Sequence, residues 1–154
     1  MRDIRTRGRI EHSVVQLELA TTERSQAIDI TAKLKEAASR LGIRDGVLHV
    51  FCPHTTAGLL INENADPAVE ADILAHLERM VPWDGPWRHA EGNAAAHVKA
   101  SLVGQSVWVP VEHGRLQLGR WQGVFFCEFD GPRRRTVRVQ ALESPSLDEG
   151  ALRR

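Results

Sequence analysis

Hydrophobic residues follow two different periods along the chain, and these periods separate predicted helices from predicted strands. Apolar residues recur at helical spacing from Ile30 to Leu41, and Gly42 is placed to end that helix. A second helix is predicted to begin with Asp66 as its N-cap and Pro67 in its first turn. The apolar face predicted for this second helix consists of Val69, Ile73, Leu77 and Met80.

Alternating or short apolar runs predict strands elsewhere. One strand is expected within residues 9–21, and another covers 45–52 and stops at Pro53, which has no N–H to give to a ladder. Several short strands follow in residues 106–142. Turns between them are predicted at 112–114, where a hairpin fits, and at 130–132.

This order of elements predicts the fold class α+β: a single domain in which a mixed or antiparallel β-sheet sandwich carries a few helices. Strands and helices do not alternate in the way that βαβ units require. The 154 residues are enough for one hydrophobic core. We expect that core within about residues 10–141, followed by a polar tail at 142–154.

Composition narrows the classes of partner. Lys and Arg number 20, as do Asp and Glu, so the net charge of zero does not favour a nucleic-acid partner. No run approaches the roughly 20 apolar residues of a membrane helix, and we expect a cytoplasmic protein without a membrane partner. Cys52 and Cys127 lie in apolar runs without metal-ligand spacing, which predicts buried, reduced thiols.

The stretch with the densest candidate chemistry is HAEGNAAAHVKAS, residues 89–101. A helix that begins near Asn93 would place His97 one turn further along the same face, with His89 in the preceding loop. The alanines of this stretch indicate close packing against another backbone, and we expect that packing at a contact between subunits.

A third candidate histidine, His54, follows the strand that stops at Pro53. Its position at a strand end fits either a ligand-binding residue or a hydrogen-bonded structural histidine. Together His54, His89 and His97 suggest a metal or anion site, since neutral imidazole binds transition metals and protonated imidazole binds phosphate. Their spacing matches no zinc signature.

Charged residues cluster again near the end of a predicted strand. Glu128 and Asp130 share one strand face, and Arg133, Arg134 and Arg135 follow across the turn. These arginines can pair with the carboxylates or bind phosphate, and alternation directs Arg134 away from the other two.

Three stretches carry a resemblance to a known family: PHTTAGLLINENADP, HAEGNAAAHVKASLVG and GRLQLGRWQGVFFCEFDGPRRR. In order and spacing they resemble the YjbQ-like family, also called the secondary thiamine-phosphate synthase family. The resemblance covers about residues 10–141. It implies an α+β fold and a homotrimer in which the histidine motifs lie near subunit contacts. His113 is a departure, because the family usually has Asn before this Gly.

The activity implied by the resemblance is thiamine-phosphate synthesis, in which a pyrimidine methyl diphosphate joins a thiazole phosphate and pyrophosphate leaves. The catalytic residues implied are His54, His89, His97, Lys99 and Glu128. The residues implied to bind the substrate or its phosphate are Thr55, Thr56, Asn93, Ser101, Trp121, Gln122 and Arg133. Asn62, Glu63, Glu91 and Asp130 also match the family pattern.

The cofactor and the reaction stay open at this point. A divalent metal held by His54, His89 and His97 could be zinc, which suits imidazole, or magnesium, which suits a diphosphate but prefers oxygen ligands. Two other functions for a phosphorylated small-molecule partner are a metal-dependent hydrolase or lyase and a non-catalytic trimeric ligand-binding protein.

Overall fold

The computed structural model describes residues 14–144. Within that range the chain forms eight strands and three helices. In chain order they are β1 (Val14–Ala20), β2 (Gln26–Asp29), α1 (Thr31–Leu41), β3 (Gly46–Phe51), β4 (Ala57–Glu63), α2 (Pro67–Met80), α3 (Ala94–Val103), β5 (Ser106–Glu112), β6 (Arg115–Leu116), β7 (Gln122–Glu128) and β8 (Arg134–Glu143).

The strands form two antiparallel sheets. The larger sheet has the order β1-β8-β3-β5-β6, and the smaller has the order β2-β7-β4. In the larger sheet Phe51, the last residue of β3, pairs with Arg138, whereas β8 begins four residues earlier at Arg134. β8 therefore extends beyond the end of β3. The predicted α+β class with a sheet sandwich is confirmed, and all pairings are antiparallel.

The main core lies between the two sheets and against α1. Alternate residues of each strand point into it, as the period of two requires. Its members include Leu48 and Val50 of β3, Val137 and Val139 of β8, and Phe126 of β7. A second apolar cluster covers the opposite face of the smaller sheet, where Phe125 and Phe129 pack against α3. The molecule is thus layered as sheet, sheet and the helices α2 and α3, whereas α1 packs against the core between the sheets.

Local signals placed the helix ends correctly. Gly42 adopts φ 69° after α1, in the left-handed region that glycine tolerates. Asp66 caps α2 by accepting the Ala68 N–H at 2.9 Å, and Pro67 is the first helical residue. The predicted inner face of α2 is confirmed at Leu77, which packs against the second cluster, and wrong at Met80, which is 55% exposed. Leu74, which was not predicted, also packs against that cluster.

Other predicted boundaries differ from the structure in small ways. The short strand β2 was not predicted, since four residues are too few to establish a period. β8 continues to Glu143, where it pairs with Gly46, so the first two residues of the predicted tail belong to the sheet. The predicted hairpin turn joins β5 to β6, and His113 adopts φ 50° there.

Some predictions fall on residues outside the described range. These are the start of the first strand at 9–13 and the remainder of the tail at 145–154. Among residues 14–144 no helix has the length and apolar character needed to cross a membrane.

Candidate functional site

An open pocket of about 540 Å³ lies where β3 ends and α3 passes beside it. Its lining residues are Phe51, Cys52, Pro53, His54, Thr55, His97, Ser101 and Gln105. Four of them were predicted from the sequence as site residues: His54, Thr55, His97 and Ser101. The volume is within the range of about 300–1,000 Å³ typical of small-molecule sites.

His54 reaches from the end of β3 to the backbone of β8. Its Nε2 lies 2.9 Å from the Thr136 nitrogen, whose N–H donates to it, and 3.1 Å from the Thr136 carbonyl oxygen. Burial, with a contribution from the nearby Arg135 cation, lowers the pKa of His54 below its ordinary value of 6.5. The ring is therefore neutral at pH 7.

Helix α3 begins directly after Asn93, as predicted, and presents two different faces. His97 and Ser101, four residues apart, line the pocket, and the Ser101 hydroxyl donates to the His97 carbonyl at 2.8 Å. His89, in the preceding loop, lies edge-on to His97 with 5.1 Å between ring centroids. His89 is also 3.6 Å from the exposed Glu91 carboxylate.

The other face of α3 carries the alanines. Ala95, Ala96 and Ala100 are buried, and the last two pack against aromatic residues of the chain's own smaller sheet. The expectation that subunit contact explains these alanines is therefore wrong. The end of α3 also lies close to β4, since a Cβ on Gly58 would come within 2.5 Å of the Gly104 carbonyl oxygen.

Glu128 lies at the end of β7 in a buried ion pair and is not in the pocket. Its carboxylate accepts from Arg135 Nε at 2.7 Å and from Arg135 Nη2 at 2.5 Å, and Thr21 Oγ1 donates to it at 3.0 Å. The backbone N–H groups of Phe129 and Asp130 add two further bonds at 3.0 Å each.

These contacts decide the ionisation of Glu128. Burial alone would raise its pKa, but the hydrogen bonds from Arg135 and from the Asp130 backbone lower it below the ordinary 4.5. Arg135 also donates to the hydroxyl of Thr56 at 2.8 Å, so Thr56 belongs to this network and not to the pocket. Arg135 thus links the Glu128 network to the pocket, because Thr56, to which it donates, is adjacent in the chain to Thr55, which lines the pocket.

A second charged group lies at the start of α3. The Asn93 amide does not cap the helix through its side chain but donates to Asp130 Oδ2 at 3.0 Å. Arg133 donates to the same oxygen at 2.8 Å, and its guanidinium is half-exposed. Asn93 Oδ1 is buried without a hydrogen-bond partner among the described residues.

Lys99 lies on the buried face of α3 and is only 1% exposed. Its ammonium group forms an ion pair with Glu78 of α2, whose side chain is partly exposed. Lys99 therefore joins α3 to α2 on the side of the helix that does not line the pocket.

Trp121 and Gln122 are at the opposite end of β7 from Glu128, about 20 Å away along a strand that rises about 3.4 Å per residue. Gln122 accepts the Gly119 N–H at 2.8 Å, and the Arg120 guanidinium lies over the Trp121 ring at 4.8 Å. Glu63, which pairs with Gln122, is at this same end.

The fold thus brings only part of the predicted site together. His54, Thr55, His97 and Ser101 share the pocket, with His89 beside His97. In the range 14–144 no three His, Cys, Asp or Glu side chains are grouped as a metal site requires, so a bound metal stays a prediction.

Four pocket residues, Phe51, Cys52, Pro53 and Gln105, were not predicted as site residues, and neither was Arg135 of the Glu128 network. Arg135, and not Arg133, holds Glu128, and its alternation with Val137 and Val139 was an available signal that it points inward. Gln105 and Cys52 line the pocket, and the Cys52 N–H donates to the Gln105 carbonyl at 2.8 Å. No local pattern marks either one.

Both cysteines are buried and unbonded, as predicted. Burial raises the pKa of the Cys52 thiol to about 11 and that of Cys127 to about 12. Both are therefore protonated at neutral pH and unsuited to act as nucleophiles.

Fold and site together define a class of protein: a two-sheet α+β domain whose histidine pocket opens where a central strand stops. A family model described as UPF0047 protein YjbQ-like matches residues 15–144. The chain belongs to this YjbQ-like UPF0047 family.

Individual relatives agree with this assignment. UPF0047 protein YugU of Bacillus subtilis is 50% identical over 127 residues, which cover 82% of this chain and 96% of the relative. An uncharacterized YjbQ/UPF0047 protein of Clostridium acetobutylicum has a solved structure with TM-score 0.82 and 51% identity, covering 83% of this chain and 99% of that one. A YbjQ-like protein of unknown function from Sulfolobus solfataricus has TM-score 0.83 at 29% identity, covering 87% and 99%.

Proposed function

We propose that the chain binds a phosphorylated small molecule in the histidine pocket and acts on it as a thiamine-phosphate synthase-type transferase. The observation that carries the binding proposal is the shared pocket of His54, Thr55, His97 and Ser101. Imidazole and hydroxyl groups are suitable donors to phosphate oxygens. The reaction itself is supported by the resemblance of the three sequence stretches.

The pocket wall also indicates what the reaction would need. Among the described residues that line it there is no Lys, Arg, Asp or Glu. A departing pyrophosphate needs cations on its oxygens, and Lys99 and Arg135 are already engaged by carboxylates. We therefore expect activity to require an added divalent cation or residues of another subunit.

The test is a turnover assay with the pyrimidine methyl diphosphate and the thiazole phosphate, with and without Mg²⁺. His97→Ala is expected to lower kcat/KM by at least about a hundredfold, the usual scale for losing one preorganised donor to the charge that develops in the transition state. His76→Ala is the matched control, because His76 is an exposed histidine of α2 that does not line the pocket. Thiamine phosphate formation that is equal in wild type and His97→Ala would contradict the proposal.

A metal-dependent hydrolase or lyase acting on a phosphorylated small molecule is the second candidate, favoured by the short distance between His89 and His97. The two imidazoles could hold zinc if water, substrate or another subunit supplied the remaining ligands. Protein purified without an affinity tag should then contain near-stoichiometric metal that His89→Ala loses and His76→Ala retains. Binding of inorganic phosphate without turnover of any candidate would instead support a non-catalytic ligand-binding protein.

We also propose that the chain assembles as a homotrimer. The outer face of the larger sheet exposes the apolar residues Val14, Phe51, Trp108 and Leu142, and exposed apolar surface commonly marks an interface. Phe51 also lines the histidine pocket, so a subunit seated on this face would lie next to the site.

A further inference from the structure

The end of β3 leaves part of β8 without a strand partner on one side. Phe51 pairs with Arg138, and Pro53 then turns the chain away while β8 continues on to Thr136 and beyond. Thr136 pairs with Glu18 of β1 on its other side, yet its N–H and carbonyl both lie within reach of His54 Nε2. The imidazole thus occupies the place of the missing strand residue.

One ring nitrogen can serve only one of these two backbone groups. With a lone pair, Nε2 accepts the Thr136 N–H at 2.9 Å; with a proton, it donates to the Thr136 carbonyl at 3.1 Å. A buried backbone N–H without a partner is rarer in folded proteins than an under-satisfied carbonyl, which has two lone pairs. The shorter distance agrees with this preference. A neutral ring with its lone pair on Nε2 carries its proton on Nδ1.

The other ring nitrogen, Nδ1, is not engaged by the part of the chain that the structure describes. Residues 14–144 provide no hydrogen-bond partner for Nδ1, and Nδ1 is not among their buried unpartnered atoms. The Nδ1–H group is therefore available at the pocket that His54 lines.

We propose that the Thr136 backbone N–H is a positioning group that holds His54 in the Nδ1–H tautomer, so that the ring offers an uncharged donor to an anionic ligand oxygen. The tautomer does not depend on the proposed reaction, whereas the donor role rests on the proposed binding of phosphate. Because Nε2 is occupied by Thr136, a metal ion could reach His54 only through Nδ1 and only after that nitrogen lost its proton.

The test is long-range ¹H–¹⁵N correlation spectroscopy on full-length protein labelled with ¹⁵N-histidine at pH 7.5, with the signals of residue 54 identified from their loss in His54→Gln. Nε2 is the nitrogen that couples to both ring C–H protons, and its shift should be that of an unprotonated, pyridine-type nitrogen. A pyrrole-type shift for Nε2 would overturn the proposal.

Two variants separate the backbone group from the threonine side chain. Thr136→Val keeps the backbone N–H and removes the hydroxyl, which lies 3.4 Å from Nε2, so the tautomer should not change. Thr136→Pro removes the N–H, which points to His54 and not to β1, and should shift the ring toward the Nε2–H form. Thr136→Pro that is folded by circular dichroism but keeps the wild-type tautomer would refute the positioning role, as would a changed tautomer in Thr136→Val.

Inorganic phosphate and Zn²⁺, titrated separately into the wild-type protein, test the donor role. Phosphate should shift the Nδ1 resonance, and Zn²⁺ should leave Nε2 unchanged. If the spectrum shows the expected tautomer but phosphate shifts no His54 resonance, both the donor role and the proposed phosphate binding are rejected. The positioning of His54 by Thr136 is then still supported. Zn²⁺ bound directly at Nε2, with the proton kept on Nδ1, would show that Thr136 does not hold that nitrogen.

Discussion

At the scale of single residues, burial separates two arginines that are two positions apart. Arg135 is 6% exposed and meets Glu128, which is fully buried, through two hydrogen bonds. Arg133 makes a similar contact with Asp130, but its side chain is half in solvent. Removing one partner of a buried pair leaves an uncompensated charge, whereas an exposed pair is screened by water.

Arg135→Gln is therefore expected to reduce the free energy of unfolding by about 3–5 kcal/mol, and the matched control Arg133→Gln by no more than about 1 kcal/mol. Urea unfolding monitored by circular dichroism at pH 7 measures both values. Equal losses in the two variants would mean that burial does not decide the strength of these pairs.

Glu128 should also contribute to the pH dependence of stability. Its pKa is lowered in the folded state, so the unfolded chain binds more protons between the folded pKa and 4.5. The stability that Glu128 contributes is present above pH 4.5 and is lost as the pH falls through its folded pKa. The difference in unfolding free energy between wild type and Glu128→Gln should therefore narrow below pH 4.5. A difference that stays constant through acid titration would contradict this assignment.

At the scale of elements, α3 shows how one helix serves two layers. Its pocket face carries His97 and Ser101, while Ala96 and Ala100 let the opposite face approach Phe125 and Phe129 of the smaller sheet. Larger side chains on that opposite face would push the helix outward and move the pocket residues with it.

Ala100→Leu is expected to destabilise the protein by about 1–3 kcal/mol, because a well-packed site cannot accommodate three added carbons without displacement. Val98→Leu is the control on the same helix, since Val98 is exposed, and it should change stability by less than about 0.5 kcal/mol. Thermal unfolding of both variants provides the measurement. A stable Ala100→Leu protein would indicate free space between α3 and β7.

At the scale of the whole molecule, the outer face of the larger sheet is the exposed apolar surface to which we assign a role in assembly. Trp108, on β5 of this face, is 53% exposed and stacks on His49 of β3 with 4.3 Å between ring centroids. Trp121, at 55% exposure, is equally accessible but lies before β7, outside this face. The two tryptophans therefore form a matched pair for testing assembly.

Light scattering after size-exclusion chromatography should give the wild-type protein three times the 17.2 kDa mass of one chain. Trp108→Glu should reduce that mass, because a carboxylate would be buried in the proposed interface, whereas Trp121→Glu should not. A monomeric wild type, or loss of assembly in Trp121→Glu alone, would contradict the proposed use of this face.

Signals between neighbours in the chain were sufficient for much of the fold. The Asp66 cap, the Gly42 terminus and the hairpin at His113 each depend on a few adjacent residues, so the sequence determined them by itself. The same is true of the strand alternation that produces two apolar faces on β7.

Only the tertiary structure decided which distant groups meet. His54 contacts Thr136, 82 positions away, because β3 stops before β8 does. Arg135, and not Arg133, contacts Glu128 because Arg135 points into the core. Lys99 forms an ion pair with Glu78 of another helix. The alanines of α3 are covered by the chain's own sheet. Alternation indicates which face of a strand a residue such as Arg135 occupies, but it does not specify the partner, since these pairings depend on strand register and on the stacking of layers.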